Sequence, residues 1–310
     1  MSMGALQLAA LATQSVKYTD WYWKVQLGKC YHRLALYRDA EKQFKSALAD
    51  QPMVDTFLYL GKVYVRLDQP LRAMELYRLG LTQFPNDTSL LTGLARIHEG
   101  LYDFNHAITC YRDVLKQDST NVESIACIAT NHFYSDQPEI ALRFYRRLLQ
   151  MGVFNAELFA NIGLCCFFSQ QYDMAIGCLE KAISMSTDEN AADIWYNCGH
   201  VALGVGDVSM AYQCFRLAIA ANHDHAEAYC NLGVLEMRKG LTEQARSYFQ
   251  SATKLGPYTF EPFYNYALFT YQLGEYQASF TAVKKSLEIF PEHADSRELQ
   301  RRIMQQLIQI

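Results

Sequence analysis

The absences in this sequence narrow its reading before any motif is considered. No apolar run approaches the roughly 20 residues of a membrane-spanning helix, so no spanning segment is expected. There is no excess of basic charge: 28 lysines and arginines stand against 32 acidic residues, for a net charge of −4. A duplex-binding protein carries a basic stripe, so nucleic acid is not expected as a partner. The opening MSMGALQLAALATQSV has no basic segment ahead of its apolar residues, and a secretory leader is not read there. No C-x-x-C pair occurs, and the nine cysteines stand singly apart from Cys165-Cys166. Reduced core thiols are expected rather than a disulfide framework. A phosphate-binding glycine loop is missing too, because Gly204-Val205-Gly206-Asp207 lacks both the spacing and the preceding strand.

What the chain does have is a period. A small residue follows an apolar one at Gly28, Gly61, Ala95, Ala129, Gly163, Gly199, Gly233 and Ala267, at intervals of 33, 34, 34, 34, 36, 34 and 34 residues. Twelve residues after each comes Ala40, Ala73, Ala107, Ala141, Ala175, Ala211, Ala245 or Ser279. Four further on comes Phe44, Tyr77, Tyr111, Tyr145, Leu179, Phe215, Phe249 or Val283. Turn signals separate the two halves of each unit, as in Leu67-Asp68-Gln69-Pro70 and Ser135-Asp136-Gln137-Pro138. Small residues in two helices let their backbones approach, and the aromatic four residues after the alanine shares its face.

The pattern resembles the tetratricopeptide repeat. The resemblance implies an all-α, right-handed superhelix, an α-solenoid of about eight helical hairpins closed by a C-terminal capping helix. The expected units are 21–53, 54–87, 88–121, 122–155, 156–189, 192–225, 226–259 and 260–293, with 294–310 as the cap. Residues 1–20 read as the end of a truncated preceding repeat, so the chain reads as a repeat region cut short. Departures from the pattern fall at His98 and His132, where a large aromatic is usual, and at Ser279 and Val283 in the last unit. The 36-residue interval places two extra residues within 186–193, where irregularity is expected.

Chemistry is sparse. His223-Asp224-His225 lies between units, and Cys198, His200 and Cys214 are spread over two helices at no recognised ligand spacing, so no metal is expected. Nothing basic flanks Cys165-Cys166 to lower a thiol pKa. Glu180-Lys181 and Arg238-Lys239 with Glu243 read as solvated faces. No catalytic residue and no cofactor is expected.

What remains is surface. In tetratricopeptide folds the first helix of each unit lines a groove. The stripe beside the core face is basic in the first three units, with Lys29, His32, Arg33, Lys62, Arg66 and Arg96. It is apolar in the later ones, with Phe133, Phe167, Phe168, Leu203, Val234, Met237, Leu268 and Tyr271. Asn161, Asn197, Asn231 and Asn265 recur one position before the apolar–small pair and could hydrogen-bond an extended backbone, as the family often does. A groove holding an extended segment of a partner is expected, since a long bare apolar strip usually marks one.

Particular stretches go beyond repeat consensus. LQLAALATQSVKYTDWYWKVQLGKCYHRL (6–34), AEKQFKSAL (40–48), VDTFLYLGKVYVRLDQP (54–70), SDQPEIALRFYRRLLQMG (135–152) and EAYCNLGVLEMRKG (227–240) resemble the family of Bardet–Biedl syndrome protein eight, tetratricopeptide subunits of the BBSome. The resemblance implies a non-enzymatic scaffold in a coat-like adaptor that carries membrane proteins into and out of cilia. It implies β-propeller subunits, a second tetratricopeptide subunit and a small extended subunit as partners. An Arf-like GTPase and the membrane are met only through the complex. It also implies a cytoplasmic location at the cilium, basal body and centrosomal region, with no small-molecule substrate. Two alternatives stand beside it. A co-chaperone clamp for acidic tails needs lysine and asparagine at fixed groove positions, two of which hold Val25 and Thr92 here. The other is the repeat region of a larger enzyme.

Overall fold

The computed structural model describes residues 2–309, and all of its regular structure is helical. Two compact units, Met1–Gly152 and Val153–Ile310, divide the chain. In the first, α1 (Ser2–Ser15) precedes four hairpins: α2 (Trp21–Arg33) with α3 (Tyr37–Asp50), α4 (Val54–Arg66) with α5 (Pro70–Gln83), α6 (Thr88–Gly100) with α7 (Phe104–Gln117), and α8 (Val122–Tyr134) with α9 (Pro138–Gln150). The second also holds four: α10 (Ala156–Phe168) with α11 (Tyr172–Met185), α12 (Ala191–Val205) with α13 (Val208–Ala221), α14 (Ala226–Arg238) with α15 (Thr242–Leu255), and α16 (Phe260–Gln272) with α17 (Tyr276–Ile289). Helix α18 (Ala294–Gln309) follows and buries Leu299 and Ile303 against Ala282 and Val283 of α17. The all-helical hairpin architecture implied by the period is therefore present.

Every hairpin turns in the same way. A left-handed residue follows each first helix: second past its end at Ala35, Asp68, Tyr102, Asp136 and Gln170, at φ between 56° and 61°, and at Gly240 and Gly274, at φ 79°, and immediately past the longer α12 at Gly206, at φ 93°. The next N–H bonds back to a carbonyl five residues earlier, as from Gln69 to Tyr64 (2.9 Å), Asp103 to His98 (2.9 Å) and Glu275 to Thr270 (2.9 Å). This is the Schellman closure, which satisfies helix-end carbonyls and reverses the chain within three residues. The second helix then starts at once, on Pro70 or Pro138, or capped by Asp103 or Asp207. The extra pair of residues in the sixth unit is taken up by the lengthened α12 and by Asn190, which accepts from Thr187 N–H (2.8 Å) and donates to Glu157 (2.7 Å).

Packing explains the period. The alanines at the first recurring site of the second helices, and Ser279 in the last, are all at most 1% exposed. Where the small residue is glycine, the large side chain four residues later lies across it, and the rings also reach the next hairpin, Tyr77 at Gly93 and Phe44 stacked on Tyr59. A Cβ added to Gly61 would sit 2.2 Å from the Tyr77 hydroxyl, and one on Gly199 would sit 2.5 Å from the Phe215 ring. Ser279 is tolerated because its hydroxyl donates to the Ala267 carbonyl (2.7 Å). Around these pairs each unit forms its own core: Phe44, Phe57, Leu60, Tyr77 and Leu90 in the first, and Phe215, Leu232 and Leu235, then Phe249 and Phe269, in the second.

Two substitutions separate close approach from mere helix propensity. Gly61→Ala drives a methyl to 2.2 Å from the Tyr77 hydroxyl, an overlap at the upper end of overpacking, about 2–3 kcal/mol, less about 1 for alanine's better helix propensity, for a net cost of about 1–2 kcal/mol. Gly177→Ala on α11 meets nothing within 4 Å and should gain up to about 1 kcal/mol. Urea unfolding of both variants checks this, and a neutral Gly61→Ala would show that the ring does not depend on the bare glycine.

Candidate functional site

The first helices of the amino-terminal unit frame a cleft of about 840 Å³. His32 comes from α2; Leu58, Lys62, Val65 and Arg66 from α4; Thr88, Thr92, Arg96 and Ile97 from α6. These residues converge because each is on the face beside the buried small residue, and that face repeats at every hairpin. The floor is partly apolar, with Tyr77 reaching across from α5. Burial pushes the Tyr77 phenol up to about 12, so it stays a neutral hydroxyl.

The charges here are arranged unequally. Arg96 forms a bidentate pair with Glu123 of α8, which takes up its charge. Among the described residues no ion pair forms on Lys62 or Arg66, both of them exposed; Asp68 is the acidic residue in the lining. Lys62 lies 5.4 Å from the centre of the Tyr59 ring, and Lys29, half-buried on α2, lies 4.6 Å from the same ring. His32 Nε2 is buried without a hydrogen-bond partner. Burial first, then the charges of Arg66 and Lys62, hold the His32 imidazole below its ordinary pKa. The structure thus gathers His32, Lys62, Arg66 and Arg96 in one cleft, holds Lys29 beside it through Tyr59, and leaves Arg33 exposed outside its lining.

Phe133 on α8 is half-buried and meets Tyr134 edge-on at 5.5 Å. In the second unit the apolar stripe serves packing more than surface. Phe167 lies against α12, where a Cβ on Gly204 would come within 2.4 Å of its ring, and meets Tyr172 edge-on at 5.7 Å. Val234 and Met237 join the cluster around Phe249, Leu203 that around Phe215, and Leu268 and Tyr271 that around Val283. Phe168, at 60% exposed, is the stripe residue that stands out from the surface. The asparagines fall in register on α10, α12, α14 and α16, each half-buried. Two are already engaged: Asn231 with His200 Nε2 (3.2 Å) and Asn265 with Cys230 Sγ (3.1 Å).

The remaining sequence candidates do not assemble. His223 bonds the Ile219 carbonyl (2.8 Å), whereas His225 accepts from Ala228 N–H (3.3 Å) and faces Asp193 and Glu227. Burial pushes the Cys165 and Cys198 thiols up to about 12 and raises that of Cys214, which makes them inert packing groups. One cluster escaped the sequence reading. His98, a departure from aromatic consensus, meets Asp103 and His106 in a shared group. The H-x4-D-x2-H spacing was visible in the chain, but its meaning depended on the turn that folds it.

With this geometry in view, the chain can be compared with known proteins. One tetratricopeptide-repeat family model matches residues 26–88 and 196–259, and a second matches 156–189. Tetratricopeptide repeat protein 8 of Mus musculus is 59% identical over 97% of the chain, which spans 59% of that relative's length. BBSome complex member BBS4 of Bos taurus is 25% identical over 83% of the chain and 49% of its own length. The crystal structure of the APC/C hetero-tetramer Cut9–Hcn1 contains a chain that superposes with a TM-score of 0.61 at 13% identity, over 90% of this chain and 55% of that one, a likeness of fold alone. Tetratricopeptide repeat protein 8 is Bardet–Biedl syndrome protein eight under another name. The repeat period, the hairpins packed ring on glycine and this identity along nearly the whole chain agree: the chain belongs to the tetratricopeptide-repeat family and, within it, to the family of tetratricopeptide repeat protein 8.

Proposed function

We propose that this chain is the repeat region of a non-enzymatic scaffold subunit in a BBSome-type adaptor, and that its first-helix faces hold an extended segment of a partner subunit. The observation that carries the reading is the cleft of about 840 Å³, with Lys62 and Arg66 unpaired in its lining and an orphaned imidazole nitrogen at His32. An acidic stretch fits it, because carboxylates complement the two cations and a donor could satisfy His32 Nε2. In the second unit an apolar stretch of a partner is proposed to meet Phe168 and the half-buried Phe167, Met237 and Tyr271. The half-buried Asn161 and Asn197 are suited to bond its backbone. Relationship to a protein named as a BBSome complex member supports the setting: cytoplasmic, ciliary, in contact with β-propeller, tetratricopeptide and small extended subunits. Membrane, Arf-like GTPase and cargo are reached through that complex.

Binding kinetics with the small extended subunit test this at low and high salt. Lys62→Glu with Arg66→Glu should slow association and flatten its salt dependence, since peripheral charges govern encounter more than residence. Phe168→Ala should speed dissociation by roughly five- to thirtyfold, or about 1–2 kcal/mol, as loss of an aromatic anchor does. Leu79→Ala, exposed on α5, should change neither rate. If only the Leu79 variant impairs binding, the second helices carry the function instead.

A pH dependence follows from His32. Its pKa is depressed in the free protein, and a bound carboxylate would raise it. Binding then takes up a proton, so affinity rises as pH falls through the bound-state pKa and levels off below the free-state one. The effect should be read above about pH 5, where the ligand's own carboxylates stay ionised. A His32→Gln variant with an unchanged pH slope would remove His32 from the interface.

A further inference from the structure

The geometry points to a divalent transition-metal site at His98, Asp103 and His106, with Zn²⁺ as its first-choice ion. His98 Nδ1 lies 3.0 Å from the Asp103 carboxylate, and His106 Nδ1 lies 2.8 Å from the same group. One ligand atom from each of the three residues lies within 4.8 Å of the others. Zinc binds nitrogen and oxygen at about 2.0–2.2 Å, so tetrahedral ligand atoms stand roughly 3.3 Å apart. The three donors already approach that spacing. Two imidazoles and one carboxylate suit zinc better than magnesium or calcium, which prefer oxygen alone.

The fold explains why these residues meet. His98 closes α6, and the Schellman turn brings Asp103 back to it through the Asp103 N–H to His98 carbonyl bond (2.9 Å). Asp103 caps α7, and His106 three residues on shares its face. The His98 side chain is 6% exposed and fixed by packing, whereas His106 is 71% exposed and can adjust. Binding replaces the two hydrogen bonds to the carboxylate. Each neutral imidazole moves its proton to Nε2 and offers the Nδ1 lone pair. A fourth position is left for water or for a ligand from a partner.

The next hairpin is an internal control. There His132 Nδ1 meets the cap residue Gln137 at 2.8 Å, and the third position is Ile140. A histidine bonded to the following cap thus belongs to the scaffold. Compared with that hairpin, α6–α7 adds the negative charge and the third ligand.

The test is calorimetric titration of Zn²⁺ into the chelator-stripped, untagged chain, with Co²⁺ absorption as a report on coordination. One ion per chain should bind. His106→Ala and Asp103→Asn should each weaken binding by more than about tenfold, since even outer-shell losses cost 10–100-fold. Both should keep wild-type helicity, because His106 is exposed and asparagine still caps. His223→Ala should bind as the wild type does. The proposal is overturned if the wild type shows no saturable binding, if either cluster variant binds unchanged, or if the His223 variant loses binding to the same extent.

Discussion

Five of the eight hairpins depend on one contact, a large side chain laid across a glycine, a stretch of helix that has no side chain of its own, and the other three set an alanine at the same place. Tyr77 over Gly61, Phe215 over Gly199 and Phe249 over Gly233 are the same event at different places. The contact needs an absence on one helix and bulk on the other. Hence the small residue and a larger apolar side chain, a ring in six of the eight units, recur together, sixteen residues apart, throughout the chain. Once the ring is seated, the alanine four residues before it is buried, and the two helices of a hairpin are bound along their length. Stability then accumulates by nearest neighbours, as in other repeat proteins.

The turn is the second constraint, and it shapes the surface. A left-handed residue followed by a return hydrogen bond fixes where the second helix begins, whatever side chain it carries. Five turns use a non-glycine residue there, each at a local cost that the surrounding hairpin offsets. This rigid geometry returns the same face of every first helix to the same register. It gathers His32, Lys62, Arg66 and Arg96 from three helices into a single cleft, and it lets His98 meet Asp103 and His106.

Little of the apolar content is left for chemistry. Rings that the sequence pattern presents as a stripe mostly lock one helix to the next, and the buried thiols are too weakly acidic to react. Polar groups left unsatisfied therefore stand out. A buried polar atom without a partner costs on the order of 1–3 kcal/mol. At His32 Nε2 the proposed partner segment would recover that cost by supplying a donor or a proton.

The sequence alone determined the repeat, the helical class and the identity of nearly every buried residue of the period. A ring and a small residue at constant separation leave a periodic trace that needs no coordinates. It also marked the basic residues of the first units, because they sit one position from that trace. The tertiary structure decided what these residues do. Only packing shows that Phe167 and Met237 are half spent on neighbouring helices while Phe168 projects, since adjacent stripe positions look alike in one dimension. Only the fold shows that Glu123 takes up the charge of Arg96 from 27 residues away and leaves Lys62 and Arg66 unpaired. In the sequence His98 stood only as a missing aromatic, and His106 belonged to no pattern. A single left-handed turn at Tyr102 made them neighbours, because ligand geometry is set by distances in space and a linear spacing fixes those only once the chain has turned.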